Sequence, residues 1–127
     1  MNHNDIPGEL IENFIDPELR PLMSLTLNNN KITQLHHLAI TGLNDKGYVD
    51  LSNNTIEYLH EDNWMVLVSQ LSEADAIDIR NNTLVCGCDV KWLVFDSNLM
   101  RLFHSGSTCA TGDTLASLDK SWFLNYC

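Results

Sequence analysis

The residues with the most chemistry in this 127-residue chain are four cysteines, Cys86, Cys88, Cys109 and Cys127. All lie in the last third. An even number of cysteines clustered in a small unit favours disulfides and an oxidising compartment. Four thiolates could instead hold one zinc ion tetrahedrally. Structural zinc sites pair two tight Cys-x₂₋₄-Cys knuckles, however, and here there is one tight pair. Neighbours spaced Cys-x-Cys rarely bridge each other, so Cys86 and Cys88 should each reach Cys109 or Cys127. Spacing leaves both pairings open.

Other reactive side chains make weaker patterns. His36 and His37 are adjacent, so their rings diverge and a shared ligand is not expected. His104-Ser105-Gly106-Ser107 holds a histidine and two hydroxyls but no Gly-x-Ser-x-Gly nucleophile elbow, and it reads as a loop. Glu73, Asp75 and Asp78 do not form an Asp-x-Asp-x-Asp-Gly calcium loop. No glycine-rich phosphate cradle occurs. Enzyme chemistry, metal and cofactor are therefore not expected. Asn53-Asn54-Thr55 and Asn81-Asn82-Thr83 are N-glycosylation acceptor sequences, with Asn53 and Asn81 as the acceptors.

The elements that would carry these residues repeat. Leu25-Thr-Leu27-Asn-Asn-Asn30-Lys-Ile32, Val49-Asp-Leu51-Ser-Asn-Asn54-Thr-Ile56 and Ile77-Asp-Ile79-Arg-Asn-Asn82-Thr-Leu84 align without gaps. Alternation before each asparagine reads as a short strand with one buried face. Stacked strands form a parallel sheet, and each unit buries its apolar side against the next. Buried Asn30, Asn54 and Asn82 at the turns can satisfy neighbouring backbone groups, because the amide offers two donors and an acceptor. Asn4-Asp-Ile6 fits the tail of an earlier unit, whose strand would precede Met1; fraying is expected over residues 1–22. Residues 7–22, with Pro7, Pro17 and Pro21, read as a return that is irregular or in short helical turns. Residues 57–72 read as helical, with Trp64 in the core. Trp92, Leu93, Phe95, Leu99, Leu102 and Phe103 recur near helical spacing as an apolar face over the last unit, and Trp122 and Phe123 should finish that small core.

The aliphatic-x-aliphatic-x-x-Asn-x-aliphatic units resemble the leucine-rich-repeat family, and Leu22-Met-Ser-Leu25-Thr-Leu27-Asn-Asn-Asn30-Lys-Ile32 matches every fixed position of its unit. Cys86-Gly-Cys88-Asp-Val-Lys-Trp92-Leu93, with two later cysteines, is similar to the cysteine-rich C-terminal flanking cap of extracellular members. Thr83 stands where that cap usually has proline, and Phe95 near where a second tryptophan is common. The resemblance implies an α/β fold: a short solenoid with a parallel sheet on its concave face at residues 1–82, the first repeat truncated, and a disulfide-bonded cap at residues 83–127. It also implies the pairing Cys86–Cys109 and Cys88–Cys127. Within the cap, Cys109-Ala-Thr-Gly112, Leu115 and Leu118-Asp resemble a group of arthropod secreted proteins that includes the non-catalytic leucine-rich-repeat subunit of a shrimp luciferase. That likeness implies a stabilising or partner role rather than catalysis.

A formal charge of −10 with seven Lys and Arg excludes nucleic acid and anionic lipid as natural partners. No stretch reaches the ~20 apolar residues of a membrane span. The residues between the buried strand positions face outward. They form columns of Ser24, Tyr48 and Ala76, then Thr26, Asp50 and Asp78, then Asn28, Ser52 and Arg80. This concave face is the expected site for a protein partner, with Tyr48 and Arg80 as anchors; a plain solvated sheet is the competing reading. Asp50 and Asp78 are like charges on adjacent strands, which Arg80 or a basic partner would relieve. The function expected is an extracellular protein-binding module, the C-terminal part of a longer secreted or receptor protein. The alternative is a non-catalytic accessory subunit that stabilises a secreted enzyme.

Overall fold

The computed structural model describes residues 9–10, 22–36 and 40–127. The expected partial unit at Asn4–Ile6, the three prolines and His37 lie outside the described residues. In chain order the elements are β1 (Glu9–Leu10), β2 (Leu22–Thr26), β3 (Gln34–Leu35), β4 (Leu43–Asp50), α1 (Glu61–Ser69), β5 (Ile77–Asp78), α2 (Lys91–Val94), α3 (Ser97–Met100) and α4 (Lys120–Tyr126). Strands and helices pack together in a mixed α/β arrangement.

β2, β4 and β5 form a parallel sheet in that order, and β1 pairs with β3 in a second, two-stranded parallel sheet. Leu25 is opposite Val49, and Val49 is opposite Ile77. The ladder runs past the strand ends, with Asn29 N donating to Ser52 O and Asn53 N to Arg80 O. Parallel neighbours need a crossover. The β4–β5 crossover contains α1, whose Trp64 and Leu67 are buried, as are Leu59 before it and Leu71 after it. The helix is shorter than the expected 57–72 stretch. β4 is longer than alternation alone predicts. It starts at Leu43 opposite Leu22, and its register shifts before Tyr48 meets Ser24.

Three asparagines fasten the turns that follow the strands. Asn54 Nδ2 donates to Leu51 O at 2.9 Å and to Leu27 O, one rung back, at 3.1 Å. Asn54 Oδ1 accepts from Asn30 N at 3.1 Å and Ile32 N at 3.2 Å. Asn82 repeats the arrangement, with Nδ2 donating to Ile79 O and Leu51 O and Oδ1 accepting from Ile56 N. Asn30 Nδ2 donates to Leu27 O. All three side chains are buried. The preceding residues, Asn29, Asn53 and Asn81, have φ of 58°, 56° and 59°. Asparagine tolerates this left-handed region better than most residues do.

The cysteine-rich segment closes the far edge. Leu102–His104 runs beside β5: Ile77 N donates to Leu102 O, and His104 N donates to Ile77 O, each at 2.8 Å. Two side chains of this segment hold one residue of the β4–α1 connection. Asp89 Oδ2 accepts from Leu59 N, and Trp92 Nε1 donates to Leu59 O, both at 2.8 Å. Cys86 is bonded to Cys109 and Cys88 to Cys127, the pairing implied by the resemblance. The expected single apolar face from Trp92 to Phe103 is corrected. Asp96 Oδ1 accepts from Asn98 N and Leu99 N, which starts α3 as a separate helix and leaves Phe95 47% exposed. Phe123 is buried as expected, but Trp122 is 43% exposed and packs on Phe123 and Tyr126.

Candidate functional site: the face of the parallel sheet

The alternating strands bury Leu27, Val49, Leu51, Ile77 and Ile79 completely, each at 0% exposure. Their neighbours form the opposite face. Pairing aligns Thr26, Asp50 and Asp78 across three strands and Ser24 with Tyr48. The ladder beyond the strand ends brings Asn28, Ser52 and Arg80 into the next row.

The members of this face differ in availability. Arg80 grips Asp78 with two parallel bonds, Nη2 to Oδ2 at 2.7 Å and Nε to Oδ1 at 3.0 Å, and its backbone N–H adds a third. Tyr48 Oη donates to Asp78 Oδ2 at 3.4 Å. Asp78 is left 2% exposed and Arg80 48% exposed. Asp50 Oδ1 accepts from Ser52 N and Ser52 Oγ, which folds the buried Ser52 back on the strand end. The expectation that Asp78 and Ser52 present contact groups is therefore corrected: Asp78 supports Tyr48 and Arg80 from below, and Ser52 is spent on Asp50. Thr26, Asn28, Tyr48 and Asp50 are partly accessible, and Arg80 is exposed.

Electrostatics follow this geometry. Burial raises the Asp78 carboxyl, but hydrogen bonds from Arg80 and its positive charge outweigh burial and hold the pKa below the usual carboxylate value. The Tyr48 phenol is pushed up, first by burial and then by the charges of Asp78 and Asp50. Arg80 thus pairs with Asp78 from within the chain.

His104 was not legible as part of this face. The Leu102–His104 segment beside β5 brings it near enough to Asp78 to lower that carboxyl's pKa. Its Nδ1 accepts from Gly106 N at 2.9 Å. A Cβ at Gly106 would lie 3.2 Å from both Arg80 Cδ and His104 Nδ1, so the loop is seated tightly against the ion pair. No local pattern marks His104, because hydrogen bonds between Leu102–His104 and Ile77 put it there.

Among the described residues, no three His, Cys, Asp or Glu side chains are grouped to hold a metal ion, and no helix is long and apolar enough to cross a membrane. His36 is half-buried. Glu73 and Asp75 are exposed, and Asp75 Oδ1 accepts from Ser105 N. Asn53 and Asn81 are exposed beside the buried Asn54 and Asn82.

These features define a disulfide-stabilised α/β chain with a small parallel sheet whose outer face carries a tyrosine and a buttressed arginine. No family model matches the chain. It is 29% identical over 104 residues to the Oplophorus-luciferin 2-monooxygenase non-catalytic subunit of Oplophorus gracilirostris, an alignment covering 82% of this chain. The chain spans 28% of the length of that relative. Two disulfides and likeness to this subunit fit an extracellular protein.

Proposed function

We propose that this chain is an extracellular, non-catalytic protein-binding module, built as a short leucine-rich-repeat solenoid at residues 1–82 under a C-terminal cap at residues 83–127. Equivalent hydrogen bonding by Asn54 and Asn82, in the turns after parallel strands in register, supports the repeat reading. The observation that carries the binding role is Arg80, held in a fixed pose by buried Asp78 while its outer part stays exposed beside Tyr48. A preorganised arginine next to an aromatic ring loses little conformational freedom on binding, and both residue types are enriched at binding hot spots. Thr26, Asn28 and Asp50 complete the contact face. Asn53 and Asn81 are the glycan acceptors of this secreted protein.

A photo-crosslinking residue placed at Tyr48 tests this in the secretory fluid of the source tissue. The expected result is one dominant protein adduct that Arg80→Glu abolishes. Equal adduct formation from Glu57, exposed before α1, would contradict the assignment.

A second reading is favoured by the relative named as a non-catalytic subunit: the partner is a secreted enzyme that this chain stabilises. In that case the Tyr48 adduct is an enzyme whose activity decays faster once this chain is removed. An adduct without enzymatic activity would exclude this version.

A further inference from the structure

Asn53 and Asn81 occupy equivalent places on adjacent rungs. Each directly precedes a buried asparagine, each is exposed, and their φ angles are 56° and 59°. Asn53 N donates to Arg80 O at 3.0 Å, so residues 53 and 81 leave neighbouring rungs side by side. Neighbouring rungs in a sheet are about 4.8 Å apart. The shared left-handed turn sends both chains off the same rim of the sheet. Both asparagines begin acceptor sequences, and Thr55 and Thr83 are exposed at the third position. Asn29 has the same conformation but is followed by Asn30 and Lys31, so it is no acceptor.

We propose that the folded protein carries one N-linked glycan shared between two stacked acceptors: each molecule is modified at Asn53 or at Asn81, not at both. The inference rests on the reading of the chain as secreted. In the transfer, the amide Nδ2 loses a proton and bonds to C1 of the sugar, and the C1–oxygen bond to a lipid-linked pyrophosphate donor breaks. The pyrophosphate is the leaving group. Transfer to an unfolded chain ignores the folded spacing, because the two acceptors are then 28 residues apart in sequence (81 minus 53). Folding brings them one rung apart, a gap narrower than the girth of a branched oligosaccharide. Two glycans would then compete for one space and oppose closure of the Asn53–Arg80 hydrogen bond. A chain modified once folds without that conflict, whichever acceptor carries the sugar. The glycan stands on the rim beyond Ser52 and Arg80, so a partner reaches Arg80 from the side of Tyr48 and Thr26.

The test secretes the full chain from insect cells behind a cleavable leader and reads its intact mass without reduction, before and after enzymatic deglycosylation. Peptide mapping then locates the sugar. The expected population has both disulfides closed and one glycan per molecule, with Asn53 and Asn81 each modified in part of it. Asn53→Asp and Asn81→Asp, which tolerate the left-handed turn, each retain one glycan, and the double variant has none. Folded molecules with two glycans would overturn the proposal and leave the extracellular reading standing. So would disulfide-closed molecules with no glycan, or a glycan confined to one asparagine and lost when it is replaced. Secreted chains with four free thiols would overturn the extracellular reading itself.

Discussion

Replacing Asn54 by leucine keeps the side chain's approximate size and removes every hydrogen bond it makes. Asn30 N and Ile32 N, held at 3.1 and 3.2 Å by Asn54 Oδ1, lose that buried acceptor. An unpaired buried donor costs roughly 1–3 kcal/mol, so the two together cost about 2–6 kcal/mol. Leu27 O and Leu51 O fare better, because Asn30 and Asn82 also donate to them. Small domains have about 5–15 kcal/mol of stability in all, so Asn54→Leu should leave the fold marginal. Guanidinium unfolding with the disulfides intact, followed by the fluorescence of buried Trp64, measures the loss. Asn53→Asp, one residue away but exposed, is the control and should stay within about 0.5 kcal/mol of the parent. A loss no greater than that control for Asn54→Leu would refute the view that this amide organises the turn.

Four further outcomes are expected. Asp78 has a depressed folded pKa, so its pairing contributes stability above the unfolded carboxylate value of about 3.9, and that contribution is lost as pH falls through the folded value. Arg80→Met should therefore lower the urea midpoint at neutral pH, and the gap to the parent should narrow below pH ~4 as Asp78 takes up a proton. Tyr48 has a raised folded pKa, so its contribution holds below the unfolded value of about 10 and is lost at higher pH; absorbance titration should show one tyrosine ionising late, absent in Tyr48→Phe. Asp89→Ala unpairs Leu59 N and should cost about 1–3 kcal/mol in chemical unfolding. Removing the Cys88–Cys127 bond, which spans 39 residues, by a double alanine substitution should cost roughly 4 kcal/mol in the loop-entropy relation, read from the same unfolding curves.

Much of the architecture was legible because it rests on local pattern. Leu25-Thr-Leu27 and its counterparts show which face of each strand is buried, and Asn30, Asn54 and Asn82 mark where the strands end. The parts that escaped depend on contacts distant in sequence or on a single side-chain choice. Spacing from Trp92 to Phe103 suits one helical face, yet Asp96 caps a new helix and turns Phe95 outward. Alternation marks Asp78 as outward-facing, which it is. Its burial follows from Arg80, two residues on, and Tyr48, thirty residues back, which close over it. His104 joins the same face only because Leu102–His104 pairs beside β5. Periodicity reports the direction of a side chain; what lies over it is set by the fold.

Amide hydrogen exchange at Asn30, Ile32 and Ile56 tests the stacked-turn account most directly. These three N–H groups lie outside the regular strands, and their acceptors are the side chains of Asn54 and Asn82 on the next rung. The account predicts exchange as slow as that of Val49 and Leu51 in the sheet, and in Asn54→Leu a larger acceleration at Asn30 and Ile32 than at Ile56. Exchange at the rate of exposed loop amides in the parent protein would contradict it.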